Sequence, residues 1–430
     1  MRLLIHSAKQ VVAITDQDVT CLPGRSMNSV VVLENTNGGV AVAVDDEGKI
    51  AAVGSTQYVR ELWKYDDFDE VIDATGKCVL PGFVDAHTHP VWAGDRLDEF
   101  AMKLAGASYL EIHNAGGGIF HTVDKTVRCS SEELYQSLKD RLLKMLQAGT
   151  TTAECKTGYG LETDAELRLL QVLQRAKQQL PIEISITYCG AHAIPNCRGK
   201  TPEEATEIIV RDQIPQIQIL MNEKLLPVEN IDVFCEKGAF DTEQSRRILQ
   251  AGKEIGLRIN LHGDELNPMQ SAEMAAELNA TAVSHLEKVS TKGIEVMAMS
   301  GTVAILLPTT AYIMRLKPPP VRQLIEAGVS VALGSDFNPN AHCLAMPTVM
   351  NLACVTYGMN MPEALVAATL NAAASLGRGR THGAIQKGRV GDLVVIKAEK
   401  WEHIIYQLGC HHHLIEFVVK YGKIVYSSTN

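Results

Sequence analysis

The chain has 430 residues, of which 46% are hydrophobic and 21% charged, and its formal net charge is −10. These are the proportions of a globular protein that is too long for one ordinary core. Because the charge contains no long run of one sign, we expect neither a nucleic-acid-binding surface nor a polybasic membrane patch.

The ten cysteines are scattered, and none forms a C-x-x-C pair. Several lie in apolar runs, where a free thiol behaves as a small buried hydrophobe. A reduced, cytoplasmic protein is the simplest interpretation. The N-terminus carries only a three-residue apolar stretch, and no segment approaches the roughly 18 apolar residues of a membrane span. We therefore predict neither a signal peptide nor a membrane anchor.

Residues 1–81 have the pattern of short strands separated by turns, with strand signals at 30–33, 40–44 and 49–54. Residues 385–430 resume this pattern, with strand signals at 392–396, 415–419 and 423–426. Each group would leave strand edges unpaired and is too small to bury its own apolar face. We therefore expect the two groups to pair into one small β-sandwich domain.

Residues 82–384 alternate apolar strands with helical stretches such as 131–148 and 164–179. This alternation predicts βα units and a parallel sheet. Eight strands over about 300 residues predict an α/β fold of the TIM (β/α)8 barrel type. The candidate strands end near residues 89, 156, 192, 236, 262, 285, 308 and 336.

The first of these strands runs into His87-Thr88-His89. The residues before it are almost all apolar without alternation, as in a strand buried on both faces. Two imidazoles at i and i+2 on a strand point to the same side, the geometry that a divalent cation requires of two ligands. The alternative is a pair of structural histidines in the core. The end of a barrel strand favours a site.

Three more polar residues close apolar strands: His262, His285 and Asp336. A carboxylate after such a run is costly to bury unless it is paired or bound to a metal. His87, His89, His262 and Asp336 would lie at the ends of strands one, five and eight. Three imidazoles and one carboxylate suit zinc or iron, with one position left for water.

These residues resemble the metal site of the amidohydrolase superfamily, and longer motifs resemble the imidazolonepropionase family within it. The resemblance extends over almost the whole chain. The matching motifs are PGFVDAHTHP at 81–90, AGGGI at 115–119, KTGYGL at 156–161, AHAIP at 191–195, HGDE at 262–265 and GSDFNP at 334–339.

The resemblance implies hydrolysis of 4-imidazolone-5-propanoate to N-formimidoyl-L-glutamate, a step of histidine degradation. It also implies one zinc or iron ion per chain and a homodimer, with a small molecule as the substrate. Arg96 would bind the propionate, since its planar fork suits a carboxylate. It further implies that Tyr109, Tyr159 and His192 line the ring pocket and that Asn338 contacts the substrate.

By the same resemblance, Glu265 would hydrogen-bond the substrate ring or the attacking water, and His285 would touch the water or the developing oxyanion. The resemblance leaves open which of Glu265, His285 and Asp336 moves the proton. Asn340 and Ala341 depart from the family pattern, so product contacts are not carried over to them. Residues 115–119 are interpreted as a mobile loop over the barrel mouth, and His411–His413 as a turn between strands.

Two other functions remain open at this point. One is a different metal-dependent hydrolase of a cyclic amide or amidine, such as a purine deaminase. The other is a catalytically silent scaffold, against which the intact ligand pattern argues. A second metal ion would require a carboxylated lysine, for which Lys156 is a candidate, but a surface or ion-pairing role is favoured for this lysine.

Overall fold

The computed structural model of the chain describes residues 1–35, 37–106, 117–195 and 199–428. The first seven strands are β1 (Leu3–Ala8), β2 (Gln10–Ile14), β3 (Val31–Glu34), β4 (Val40–Val44), β5 (Ile50–Ser55), β6 (Glu70–Asp73) and β7 (Cys78–Pro81). The strands predicted at 30–33, 40–44 and 49–54 are thus present as β3, β4 and β5, shifted by no more than one residue at either end.

The centre of the molecule is an eight-stranded sheet whose neighbouring strands are parallel. Its first and last strands meet, because Asp336 N–H donates to the His87 carbonyl and His89 N–H to the Phe337 carbonyl, both at 2.9 Å. The predicted TIM barrel is therefore confirmed. Its strands are β8 (Phe83–Asp85), β9 (Thr150–Lys156), β10 (Glu183–Ala191), β11 (Asn230–Cys235), β12 (Arg258–Gly263), β13 (Ala282–His285), β14 (Val303–Leu306) and β15 (Val331–Leu333).

Helices alternate with these strands, and the longest show why they form. The helix Ser131–Gln147 begins with a capping box between Ser130 and Glu133 and buries one stripe that includes Leu134, Leu138 and Leu142. Such a stripe recurs every three to four residues, as the core-facing side of a helix requires. The two helices predicted at 131–148 and 164–179 are thus confirmed within about a residue at each end.

The helices are α1 (Thr56–Leu62), α2 (Leu97–Leu104), α3 (Ile119–Arg128), α4 (Ser131–Gln147), α5 (Thr163–Gln179), α6 (Pro202–Ile208), α7 (Ile214–Asn222), α8 (Thr242–Glu254), α9 (Ser271–Leu278), α10 (Thr291–Ser300), α11 (Pro308–Met314), α12 (Val321–Glu326), α13 (Met346–Tyr357), α14 (Met361–Ala367), α15 (Leu370–Ser375), α16 (His403–Tyr406) and α17 (His411–Leu414). Shorter helical turns lie at Gly24–Asn28 and Tyr65–Asp67, and a π-helical turn lies at Ile209–Gln213.

The chain ends with β16 (Leu393–Ile396), β17 (Ile415–Lys420) and β18 (Lys423–Ser427). One sheet has the order β5-β4-β1-β6, and the other has the order β18-β17-β16-β7-β2-β3. The two ends of the chain join where β7 and β16 pair antiparallel. Side chains from both sheets share one buried cluster that includes Val42 of β4 and Val395 of β16. The predicted sandwich is therefore confirmed.

One detail differs from the sequence-based expectation. The segment His411–His413, expected as a turn between strands, is the single helical turn α17 before β17. The exact domain boundaries at 81/82 and 384/385 remain predictions.

Among the described residues, no helix is both long enough and apolar enough to cross a membrane.

Candidate active site

The predicted metal ligands lie at one mouth of the barrel. His87 and His89 lie two and four residues after β8, His262 lies within β12, and Asp336 follows β15 by three residues. All four side chains are buried. Their common position follows from the fold, because the carboxyl ends of all parallel strands of a barrel open on the same face.

The spacing of these side chains is that of ligands around a single ion. His89 Nε2 and His262 Nε2 are 3.1 Å apart. Asp336 Oδ1 lies 3.5 Å from His87 Nε2 and 3.7 Å from His89 Nε2. Two ligands at zinc-binding distance from one tetrahedral ion are about 3.4 Å apart. The structure thus brings the four predicted ligands together.

The chemistry of the cluster also fits a metal ion. His87 Nε2 and Asp336 Oδ1 are buried and have no hydrogen-bond partner among the described residues. The other Asp336 oxygen accepts a hydrogen bond from Thr310 Oγ1 at 2.5 Å. Burial lowers the pKa of His87 and His89 well below the usual range. The imidazoles are therefore neutral, and neutral imidazole is the form that binds metals.

Two of the imidazoles are oriented by polar partners behind them. His262 Nδ1 donates to Asp232 Oδ1 at 2.8 Å, and the His262 backbone N–H donates to the same oxygen at 3.1 Å. His87 Nδ1 pairs with Ser284 Oγ at 2.8 Å. Each partner occupies Nδ1 and leaves Nε2 facing the cluster, as the outer partners of metal-binding histidines do.

Lys156 is part of a buried ion-pair network rather than a surface residue. Its Nζ lies 2.6 Å from a Glu154 oxygen and 2.7 Å from an Asp232 oxygen, and all three side chains have 0% exposure. Burial alone would lower the pKa of Lys156, but the two carboxylates outweigh it and raise the pKa above the usual range. A protonated amine has no lone pair with which to take up CO2. The ion-pairing interpretation of Lys156 fits this arrangement, and a metal-bridging role does not.

A pocket of aromatic rings adjoins the cluster. The His192 ring stacks on His89 with centroids 4.6 Å apart and an interplanar angle of 12°. The Tyr159 ring lies 5.4 Å from that of His192. Gly158 permits this approach, since its φ is +113° and a Cβ there would lie 2.8 Å from His192 Nδ1. Burial lowers the pKa of His192 to about 3. The pocket therefore offers neutral, flat surfaces to a heterocycle.

Arg96 lies immediately before α2 with its side chain only 12% exposed. Its Nε donates to Thr122 Oγ1 at 3.1 Å, and its Nη1 is 4.0 Å from Glu99. Glu99 forms its closer ion pair with Lys103, at 2.7 Å. Burial raises the pKa of Tyr159, and the nearby positive charge of Arg96 opposes this effect. Arg96 thus lies near the ring pocket, and it has no bidentate carboxylate partner among the described residues.

The loop after β15 is shaped by Asn338. Its Nδ2 donates to the Asp336 carbonyl at 2.7 Å, and its Oδ1 accepts from the N–H groups of Asn340 at 2.7 Å and Ala341 at 3.1 Å. Asn340 in turn accepts from Lys103. The Asn338 amide therefore fixes the local turn, and its predicted substrate contact stays a prediction. Tyr109 lies outside the described residues, as do Ala115 and Gly116 of the predicted loop.

Glu265 and His285 face each other at the same mouth, with Glu265 Oε2 3.6 Å from His285 Nε2. Burial, with the nearby charges of Glu287 and Asp336, raises the pKa of Glu265 well above the usual range. Burial also lowers the pKa of His285 well below its usual range. At neutral pH the carboxyl can hold a proton and the imidazole can accept one, as proton carriers in catalysis must.

Three charged residues of this region were not singled out from the sequence: Glu154, Asp232 and Glu287. Glu154 and Asp232 lie inside buried strands, where the cost of desolvating a carboxylate is the same as for Asp336. Glu287 follows β13 by two residues, and no sequence pattern distinguishes it from an exposed loop residue.

Comparisons with known proteins give a consistent picture. A sequence model of the amidohydrolase family matches residues 78–425. A probable imidazolonepropionase from Nematostella vectensis is 54% identical over 99% of each chain. The chain is 53% identical to a probable imidazolonepropionase from Homo sapiens, over 99% of each chain, and 55% identical to one from Danio rerio, over 99% of this chain and 97% of the relative.

Solved structures share the fold at low identity. An adenosine deaminase from Xanthomonas campestris with bound zinc has a TM-score of 0.72 at 18% identity, covering 99% of this chain and 93% of that one. The atrazine chlorohydrolase TrzN from Arthrobacter aurescens TC1, complexed with zinc, has a TM-score of 0.70 at 16% identity, covering 99% and 95%. The chain belongs to the amidohydrolase family and, within it, to the imidazolonepropionase family.

Proposed function

We propose that this chain hydrolyses 4-imidazolone-5-propanoate to N-formimidoyl-L-glutamate in histidine degradation. One observation carries the proposal: a cluster that fits a metal ion and a ring pocket adjoin at one barrel mouth, and Arg96 lies near that pocket. Whole-length identity to relatives named probable imidazolonepropionase supports the same reaction. In this reaction water adds to the ring carbonyl carbon, the carbonyl carbon–nitrogen bond breaks, and the ring nitrogen takes up a proton.

His87, His89, His262 and Asp336 would hold the metal ion. A divalent ion there supplies Lewis acidity, which polarises a carbonyl and lowers the pKa of water. Asp232 and Ser284 keep the imidazoles of His262 and His87 in the required orientation. The cluster is buried, so few water molecules compete for it and its electrostatic interactions are strengthened.

The chain binds the substrate through Arg96 and the ring pocket. The Arg96 fork takes the propionate, since a guanidinium matches a carboxylate in shape and charge. His192 and Tyr159 then hold the flat ring beside the metal-fitting cluster. A substrate fixed at both ends presents its carbonyl in one orientation, which lowers the entropic part of the barrier.

Glu265 and His285 handle protons close to the reacting carbonyl. Their facing atoms are 3.6 Å apart. A proton of the attacking water can pass to the neutral imidazole of His285, or to Glu265 when its carboxyl is in the ionised form. Asp336 is the third candidate, as the donor to the departing nitrogen. General acid–base assistance of this kind contributes about 10²- to 10⁴-fold in rate.

One metal ion per chain completes the proposal. Four protein ligands converge, and the ammonium of Lys156 is held between two carboxylates. Metal analysis should give a stoichiometry near one. A value near two that is lost in Lys156→Ala would contradict this part of the proposal. Because nitrogen and oxygen ligands accept both metals, the same analysis decides between zinc and iron.

The test of the function combines metal analysis with a direct assay. Purified chain is mixed with imidazolone propionate, and disappearance of the imidazolone is followed spectrophotometrically. We expect turnover by the wild type and no turnover by His262→Ala, whose metal content should also fall. A chain that binds metal but does not turn over the imidazolone would contradict the proposal. Turnover of adenine or guanine instead would establish the deaminase alternative.

A homodimer and a cytoplasmic location are further parts of the proposal. Sedimentation velocity on the purified chain tests the first, with a single species of twice the chain mass as the expected result. Fractionation of cells, with the chain followed by antibody, tests the second.

A further inference from the structure

Glu287 is a buried carboxyl group to which the proposed mechanism assigns no role. Its side chain is 1% exposed, and both of its oxygens lack a hydrogen-bond partner among the described residues. Burial raises its pKa to about 8. Burying a carboxyl without partners costs folding free energy. A buried polar group left in this state requires an explanation.

His285 is a second buried group that lies close to Glu287 and lacks a hydrogen-bond partner on one ring nitrogen. The Nδ1 atom of His285 lies 3.9 Å from Glu287 Oε2 and also has no partner among the described residues. The opposite ring nitrogen, Nε2, faces Glu265 at 3.6 Å. His285 is therefore placed between two carboxyl groups, one at the reaction centre and one behind it.

The backbone explains how Glu287 reaches this position. His285 and Leu286 have φ values of +80° and +70°, a region that is costly for residues other than glycine. Leu286 N–H donates to the Gly263 carbonyl at 3.2 Å, and Lys288 N–H donates to the Asp264 carbonyl at 2.7 Å. These hydrogen bonds to the end of β12 thus stabilise a strained turn, and this turn places the Glu287 side chain beside His285. Strain of this kind concentrates at functional sites.

A purely structural carboxyl in this fold is treated differently. Glu166 is also buried, but its Oε1 accepts hydrogen bonds from the N–H groups of Gly158, Gly160 and Leu161 at 3.2, 2.7 and 2.8 Å. These bonds explain why Glu166 is there. Glu287 has no such bonds among the described residues, so its position contributes nothing comparable to stability.

We propose that Glu287 is a positioning residue, whose carboxyl sets the tautomer of His285 through Nδ1 already in the free chain, closes to a hydrogen bond during the reaction and holds Nε2 toward Glu265 and the substrate. This inference rests on the proposed function. The partner of one imidazole nitrogen sets the tautomer and orientation of the other. A separation of 3.9 Å is longer than a hydrogen bond, but catalytic contacts often tighten only when substrate is bound.

The test compares Glu287→Leu with Glu287→Gln. Leucine cannot pair with Nδ1, whereas the glutamine amide can accept from it or donate to it. We expect Glu287→Leu to lower kcat about 10- to 100-fold, the usual effect of losing such a partner. KM and metal content should stay at wild-type values. Glu287→Gln should retain most of kcat.

Stability provides the discriminating measurement. Since Glu287 is unpartnered among the described residues, Glu287→Leu should leave the melting temperature unchanged or raise it. The matched control Glu166→Leu should lower it, because three backbone N–H groups lose their acceptor. A Glu287→Leu variant that keeps wild-type kcat would overturn the inference. So would one that loses melting temperature along with kcat, or a Gln variant as slow as the Leu variant.

A spectroscopic arm separates this inference from the proposed function. The ¹⁵N shifts of the His285 ring are recorded in the metal-free chain, with His285→Gln used for assignment. A shift of Nδ1 in Glu287→Leu that Glu287→Gln restores supports positioning even if the wild type does not turn over the imidazolone. Unchanged shifts would overturn the inference. Failure of the wild type in the assay would count against the function alone.

Discussion

At the scale of single residues, Arg96 determines which substrates the proposed site accepts. Methionine in its place keeps an apolar stem but removes the fork that binds a carboxylate. We expect Arg96→Met to raise KM for the imidazolone about 10- to 100-fold with little change in kcat, which corresponds to a lost charge-assisted hydrogen bond of about 1.5–3 kcal/mol. Steady-state kinetics over a range of substrate concentrations measure both constants.

The matched control is Arg128→Met. Arg128 is an exposed residue of α3 whose partner is Asp124, at 2.7 Å, so its loss should leave KM unchanged. An Arg96→Met variant that loses kcat alone would show that Arg96 is not the carboxylate ligand. The same variant separates the two enzyme classes, since a purine carries no propionate.

Asp232 illustrates how a residue that does not touch the ion can control it. It accepts two hydrogen bonds from His262 and one from Lys156. Asparagine preserves its shape but removes the charge. We expect Asp232→Asn to weaken metal binding about 10- to 100-fold, as measured by competition with a chelator. The control Asp392→Asn removes another buried carboxylate, paired with Lys420 at 2.6 Å, and should leave metal affinity unchanged. Equal losses in both variants would contradict the argument.

Site residues could be predicted from the sequence where one local pattern determines their position in the fold. His87 and His89 share a strand end, and Asp336 follows an apolar run, so the barrel rule alone brings them to the same mouth. The partnership of Asp232 with His262 depends on which strands become neighbours. The position of Glu287 depends on a strained two-residue turn. Both contacts depend on the three-dimensional arrangement of the chain, and no local sequence pattern indicates them.

At the scale of elements, the pairing of β7 with β16 joins the two ends of the chain. Val79 of β7 lies opposite Val395 of β16, and Val395 shares a buried cluster with Val42 and Val44 of β4. The C-terminal strands therefore cover the apolar face of strands that precede them by about 300 residues. Each sheet alone would expose that face to water.

We therefore expect truncation after Gly388 to destabilise residues 30–54 as well as to remove the tail. The physical reason is the loss of the sheet that covers β4. Hydrogen exchange followed by mass spectrometry measures protection over these residues in the full and truncated chains. Unchanged protection over 30–54 would mean that the two strand groups are independent and that the predicted domain division is wrong.

Element type was predictable where apolar periodicity is strong, as in α4 and in the barrel strands. The arrangement of the β-domain was only partly predictable. Unpaired strand edges require the two strand groups to meet, but they do not determine whether the groups pair side by side or pack face to face. That choice depends on which strands are long enough to cover each other, and the sequence pattern is the same in both cases.

At the scale of the whole molecule, a charged network ties the barrel to the β-domain. Arg378 contacts Glu183 at 2.6 Å and Glu229 at 2.8 Å, and Lys420 of β17 contacts Glu183 at 3.1 Å. Burial alone would raise the pKa of both glutamates. The surrounding cations and hydrogen bonds, from Arg378 and His382 among others, outweigh it, lowering the pKa of Glu229 to about 2 and that of Glu183 below its usual range.

This network predicts how stability depends on pH. A carboxyl whose pKa is lower in the folded chain stabilises it fully above the unfolded pKa of 4.5, and the contribution is lost as the pH falls toward the folded pKa. For Glu229 the contribution at neutral pH is about 3 kcal/mol. We expect the free energy of unfolding, from urea titrations, to fall between about pH 5 and about pH 2. The free energy of unfolding should fall less steeply in Arg378→Met, which lacks the shared cation.

The control is Arg175→Met, which breaks an exposed pair with Glu132 at 2.6 Å and should follow the wild type. If the Arg378→Met curve ran parallel to the wild-type curve, the network would not be the source of the acid sensitivity.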